Sequence, residues 1–127
     1  IGNQDLHSYP KLPVNRLSQG SGTIVSDVKD LNTFVRALLI DKTLLTAHSL
    51  KQMTNFYTYK NTKSGYGLSE ENIGGKTLLG HTGRQISYIS LAFADTVHKE
   101  SMIVLTNNAN DTLVDHVLET ICKTKRF

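Results

Sequence analysis

The chain has 127 residues, 39% of them apolar and 20% charged, with 14 basic against 11 acidic side chains. A chain of this length buries roughly two-thirds of its unfolded surface, enough for one core without disulfide or metal staples, which argues against intrinsic disorder and against a second domain. The net charge of +3 is mild, and its cations are scattered except for Lys123, Lys125 and Arg126, a tail suited to a helix C-terminus; no nucleic-acid partner is expected. No apolar run approaches the roughly 20 residues that span a bilayer, and Ile1 is neither a start methionine nor the opening of a signal-peptide pattern, so the N-terminus reads as trimmed. Cys122 is the single cysteine, which forbids an internal disulfide and any zinc site of several cysteines.

Residues 1–22 hold both prolines, Pro10 and Pro13, and end in Gly20-Ser21-Gly22; they read as an extended arm preceding a domain over 23–127. From Val28 the apolar positions Val28, Leu31, Phe34, Val35, Leu38 and Leu39 fall at helical spacing, with Ser26 placed as N-cap and Asp27 and Asp30 near the positive end of the dipole. A shorter helix is predicted over 46–53, capped by Thr46, with Leu50 and Met53 facing inward.

After a polar stretch at 58–65 the pattern changes to short segments at 66–70, 76–81, 86–94 and 101–106, which read as strands. The brief connections between them predict antiparallel hairpins. Ile89, Leu91 and Phe93 alternate with Tyr88, Ser90 and Ala92, so one face packs harder while the small residues of the other could accept a helix. Leu113, Val114, Val117, Leu118, Ile121 and Cys122 form the stripe of a final helix, capped by Asn110 or Asp111 and laid across the sheet. Cys122 on that stripe reads as a small core residue rather than a nucleophile. The order of elements predicts an α+β fold, an antiparallel sheet of three to four strands packed with helices.

The sharpest chemical signal is Gly80-His81-Thr82-Gly83 at the end of a predicted strand. Read with the blocks GSGTIVSDVKDLNTFVRALL, LLTAHSLKQM, GYGLSEE and LTNNAN, in that order around it, the chain resembles the C-terminal part of the serine beta-lactamase and penicillin-binding-protein-like family, of the class C beta-lactamase, D-alanyl-D-alanine carboxypeptidase and esterase type. The resemblance runs from about Gly20 to the C-terminus. It implies the C-terminal part of a beta-lactamase-like fold and a serine acyl-enzyme with three motifs, S-x-x-K, a Y-x-N type element, and K-T-G or H-T-G on a strand lining the cleft. By resemblance His81 and Thr82 would orient or polarise the substrate carbonyl and carboxylate, Gly83 would let substrate approach the main chain, and the backbone amide of Arg84 would donate to an oxyanion. Alone, H-T-G also fits a polar strand residue beside a turn, with the glycines marking a bulge.

Ser26-Asp27-Val28-Lys29 and Tyr59-Lys60-Asn61 match the other two motifs in the right order. With ten serines and ten lysines, about 0.8 S-x-x-K matches arise by chance. Ser8-Tyr9-Pro10-Lys11 is another, in which proline breaks the turn that should place lysine beneath serine. Ser26 has a structural role as cap, and Tyr57 and Tyr59 read as loop residues. The nucleophile, its lysine and the tyrosine base are therefore expected N-terminal to Ile1, with this chain alone inactive and that missing N-terminal part its partner.

Departures from the family's pattern are Ser69-Glu70-Glu71, where a tryptophan is common, and Arg84, Gln85 and Ser87 after the motif. Arg84 could pair with a substrate carboxylate or stand as a solvated turn residue. His7, His48, His98 and His116 show no ligand spacing, His116 reads as solvent-facing, and no metal or cofactor is expected. Two readings follow. One is a portion of a serine hydrolase acting on D-alanyl peptides, beta-lactams or small esters, extracellular or membrane-anchored at a bacterial cell envelope. The other is a non-catalytic binding domain on the same fold. A severed half would expose apolar faces and could form homo-oligomers through them.

Overall fold

The computed structural model describes residues 19–22, 24–85, 88–108 and 110–124. Most of the predicted arm lies outside these residues; within it, Gln19–Ser21 form one 3₁₀ turn. The first helix, α1 (Val28–Val35), is capped by Asp27 rather than by the predicted Ser26: the Asp27 carboxylate accepts from Asp30 N at 2.9 Å. Ser26 Oγ instead lies 3.4 Å from the Asp27 carbonyl, one residue too early to reach the first turn. An anion at the positive helix end makes Asp27 the stronger cap.

The helix continues into a wide π-helical turn at Arg36–Ile40, where Asp41 N donates to Arg36 O at 2.8 Å. Val35, Leu38 and Leu39 are buried as the stripe predicts, whereas Val28 and Phe34 are half exposed. The second helix, α2 (Ala47–Met53), starts at Thr46, whose hydroxyl accepts from Ser49 N at 3.1 Å, as expected.

Six antiparallel strands form one sheet in sequence order: β1 (Tyr57–Tyr59), β2 (Thr62–Ser64), β3 (Ser69–Ile73), β4 (Lys76–Gln85), β5 (Tyr88–Asp95) and β6 (Glu100–Thr106). The class is the α+β fold predicted, with more strands than the three or four expected. The additional hairpin, β1 and β2, occupies the stretch read as polar loop, so Tyr57 and Tyr59 are strand residues. Every position in both strands is exposed, so no apolar alternation marked them. Their two-residue turn places Lys60 at φ 53, a left-handed conformation that sequence rules assign to glycine or asparagine. Gly74 and Gly75, at φ 60 and 82, close the β3–β4 hairpin as their type predicts. Residues 66–68, expected to open a strand, precede β3 instead, and β4 runs four residues beyond the expected end at His81.

The alternation along β5 separates two cores. Ile89, Leu91 and Phe93 lie with Leu78 and Met102 under the final helix α3 (Asp111–Thr124), which contributes Val114 and Leu118. Phe93 is 1% exposed. On the opposite face the small Ala92 and Ala94 admit the end of α1 and its π turn, so that Val35, Leu38 and Leu39 pack there with Leu68 and Ile103. Asn110 caps α3 through Oδ1, which accepts from Leu113 N at 3.3 Å. His116 is exposed, as expected, Leu113 is more exposed than its place on the stripe predicts, and the Cys122 side chain lies outside what is described.

The β5–β6 turn is organised by Asp95, whose Oδ1 accepts from Val97 N at 2.9 Å and His98 N at 3.0 Å while Oδ2 meets His98 Nδ1 at 2.6 Å. Burial pushes the carboxyl up, but the His98 amide and ring and the Val97 amide together outweigh it and hold Asp95 below the usual carboxylate range. A folded-state value below the unfolded one contributes stability at neutral pH that is lost as pH falls through and below the ordinary value of 3.8. The urea midpoint should therefore fall between pH 6 and pH 3, and by less in Asp95→Asn.

A Cβ on Gly80 would overlap the Ala92 carbonyl and the Phe93 backbone, neither of which can rotate away. Gly80→Ala should cost about 1–3 kcal/mol in urea unfolding. Gly20→Ala, which meets open space, should be close to neutral.

Candidate functional site

The predicted residues His81, Thr82, Gly83 and Arg84 stand in the second half of β4, where the strand has outrun its neighbour. Pairing with β3 ends at Ser69 opposite Gly80, while pairing with β5 continues without a bulge from Leu79 opposite Ala94 to Gln85 opposite Tyr88. Residues 81–85 therefore have β5 on one side and the end of the β3 strand on the other.

The constant register fixes direction for each group. Ser69 Oγ donates to Gly80 O at 3.2 Å, so the Gly80 carbonyl points toward β3. In an antiparallel strand the N–H and C=O of one residue point the same way and alternate along the chain. The main-chain groups of Thr82 and Arg84 thus face the outer edge, and those of His81, Gly83 and Gln85 face β5. Side chains alternate across the sheet: His81, Gly83 and Gln85 lie on the α1 face, Thr82 and Arg84 on the α3 face. The four motif residues form a wall whose two faces carry different chemistry.

His81 is exposed, and its Nδ1 donates to the Thr82 carbonyl at 2.5 Å. A carbonyl can only accept, so the neutral ring carries its hydrogen on Nδ1 and presents Nε2 as an acceptor. Gly83 lies opposite Ser90, whose Oγ occupies the space a Cβ would take. Bare main chain over a hydroxyl and beside an imidazole makes this face polar.

The other two motif matches stand apart from this wall. Ser26 and Lys29 belong to the start of α1, which packs on β5 and β6. Tyr59-Lys60-Asn61 forms the tip of the β1–β2 hairpin, with the Lys60 ammonium 5.4 Å from the Tyr59 ring centroid. Three strand spacings, about 14 Å, separate β1 from β4. The fold does not assemble a serine, a lysine and a tyrosine around His81 from these matches.

The sequence assigned no site role to Ser90, Gln85 and Tyr88, the residues that share the His81 face. Tyr88, more than half exposed, stands opposite Gln85. Period-two counting from His81 would have found Gln85 once β4 was extended past the motif. The partners on β5 required the register. Among the described residues no three metal-ligating side chains converge, and no helix is long and apolar enough to cross a membrane.

Nitrogen NMR of His81 in its neutral form should show protonated Nδ1 and bare Nε2. Thr82→Pro would keep that acceptor carbonyl while removing only an edge-facing N–H, and should leave the tautomer unchanged.

No family model matches this sequence. Among solved structures it is similar to a D-stereospecific amidohydrolase from Streptomyces sp., at 30% identity and a TM-score of 0.63 over 79% of this chain. The chain spans 31% of the length of that protein. The observed α+β architecture is that of the C-terminal region of a beta-lactamase-like fold.

Proposed function

We propose that this chain forms one wall of the substrate cleft of a serine hydrolase, with the nucleophile supplied by polypeptide that it does not span. The reading rests on the run of β4 past the end of β3, which turns the main-chain groups of Thr82 and Arg84 toward an edge beside His81 and Gly83. It is supported by the similarity to part of an amidohydrolase. Substrates of this class are acyl compounds with an extended chain: D-alanyl peptides, beta-lactams or small esters. An extended acyl chain can lie against a strand edge as an added strand would, which orients its carbonyl by main-chain contacts.

In this reading the serine oxygen attacks the acyl carbonyl, the amine or alcohol leaves with a proton, and water later cleaves the acyl-serine ester. The Arg84 amide, facing the edge, donates to the oxygen that becomes negative in each tetrahedral intermediate. His81 Nε2 accepts a hydrogen bond from substrate beside the Ser90 hydroxyl, which fills the space that a side chain at Gly83 would take. The protein would work at the bacterial cell envelope, where such peptides occur.

Intact-mass analysis after incubation with a fluorophosphonate and with a penicillin tests the assignment. A longer polypeptide carrying this chain should gain one adduct outside residues 1–127, and the 127-residue chain none. An adduct on Ser26 would overturn the reading; folded longer protein without any adduct would favour a non-catalytic binding domain. Arg84→Pro removes the proposed donor and should slow acylation by about 10²–10³.

A further inference from the structure

Gly83 is where the resemblance implies a close approach of substrate to the main chain, and β5 closes that gap with a side chain. Gly83 stands opposite Ser90 in the unbroken β4–β5 register, and both lie on the α1 face. A Cβ at Gly83 would overlap Ser90 Oγ, whereas it would lie 3.7 Å from Ser90 Cβ, an ordinary contact. The hydroxyl therefore leans across the Gly83 main chain and takes the place of the side chain that β4 lacks there. Among the described residues, burial along this face of β5 falls from Ala94, fully buried, through Ala92 and Ser90, half-buried, to the exposed Tyr88. Ser90 sits at the boundary where the α1 layer ends.

We propose that Ser90 determines specificity in the cleft, its hydroxyl donating to a carbonyl oxygen of the substrate's acyl group, one residue away from the scissile carbonyl. The inference rests on β4 being the cleft wall, and it adds the substrate class. The Arg84 amide holds the scissile carbonyl oxygen, and an extended chain advances about 3.3 Å per residue, so the next carbonyl along the acyl chain comes level with Gly83 and the hydroxyl over it.

Of the motif's own side chains none can donate to that oxygen. His81, two positions before Gly83 on the same face, presents only an acceptor in its neutral form, and the Thr82 and Arg84 side chains belong to the opposite face. A serine hydroxyl supplies the donor by rotating about one bond. The substrates that follow carry an amide next to the scissile carbonyl, as N-acylated amino acids and peptides do. A plain alkanoate ester has no atom to take the bond. Within the cleft the space over Gly83 belongs to the substrate, which sets the substrate apart from the rest of the polypeptide as the hydroxyl's partner.

The test compares two methyl esters, those of N-acetyl-D-alanine and of the acid in which two methylenes replace its amide, with the longer polypeptide that carries this chain. Ser90→Ala should lower kcat/KM about fivefold for the first ester and leave the second unchanged, because only the amide-bearing ester can make the lost bond. The ratio between the esters moves with a substrate contact and not with damage to the fold, which slows both. An equal fall for both esters overturns the proposal by giving Ser90 a structural role or a protein partner, and no fall for either overturns it by making the side chain a filler. If the folded, unaltered polypeptide turns over neither ester, the cleft assignment fails and the proposal with it. Turnover of both, with a ratio that Ser90→Ala does not change, removes the proposal alone.

Discussion

The division of labour along β5 is the constraint on which the remaining structure depends. Its odd positions, Ile89, Leu91 and Phe93, are large and fill the space beneath α3, whereas Ser90, Ala92 and Ala94 are small and let the end of α1 and the π turn come close. Exchange of the two sets would overfill one layer and empty the other, and a one-residue slip would do the same at every position. The unbroken registers to β4 and β6 pass this constraint outward, so the orientation of His81 on one neighbour and of Ile103 on the other is decided by the packing of β5.

The elements visible in the sequence were those whose burial is periodic. Val35, Leu38 and Leu39 marked the first helix, Val114 and Leu118 the last, and the alternation around Phe93 the central strand, because each presents one repeated face to a core. The β1–β2 hairpin carried no such pattern, since it buries no side chain fully and turns through Lys60 without a glycine. The cap of α1 was misplaced by one residue because serine and aspartate are both good caps by type, and it is the Asp27 carboxylate that lies within reach of the Asp30 amide.

At the wall the motif was legible and its extent was not. Arg84 is an exposed polar residue that read either as a partner for a substrate carboxylate or as a solvated turn residue, yet pairing with β5 keeps the chain in strand conformation to Gln85. The shared face of His81 and Gly83 is a matter of the strand's period of two. Ser90 beneath Gly83 and Tyr88 beside Gln85 are neighbours only across strands, information that resides in register rather than local sequence. The similarity to an amidohydrolase covers less than a third of that protein's length, and within it the wall presents main chain, an imidazole and the Ser90 hydroxyl.

The π turn at Arg36–Ile40 amounts to one residue of slack in an otherwise α-helical rod. A tightly wound helix turns about 100° per residue, so deleting one position upstream would swing every later side chain by that angle. A wide turn can take up such a change by closing to α geometry, and the bond from Asp41 to Arg36 is the place where it would close. The buried pair Leu38 and Leu39 is therefore held against the sheet by a joint that separates the phase of α1 from the phase of its docking end. Shortening the chain before Val35 and shortening it after Leu39 are unequal alterations, the first absorbed within the rod and the second borne by the loop to α2.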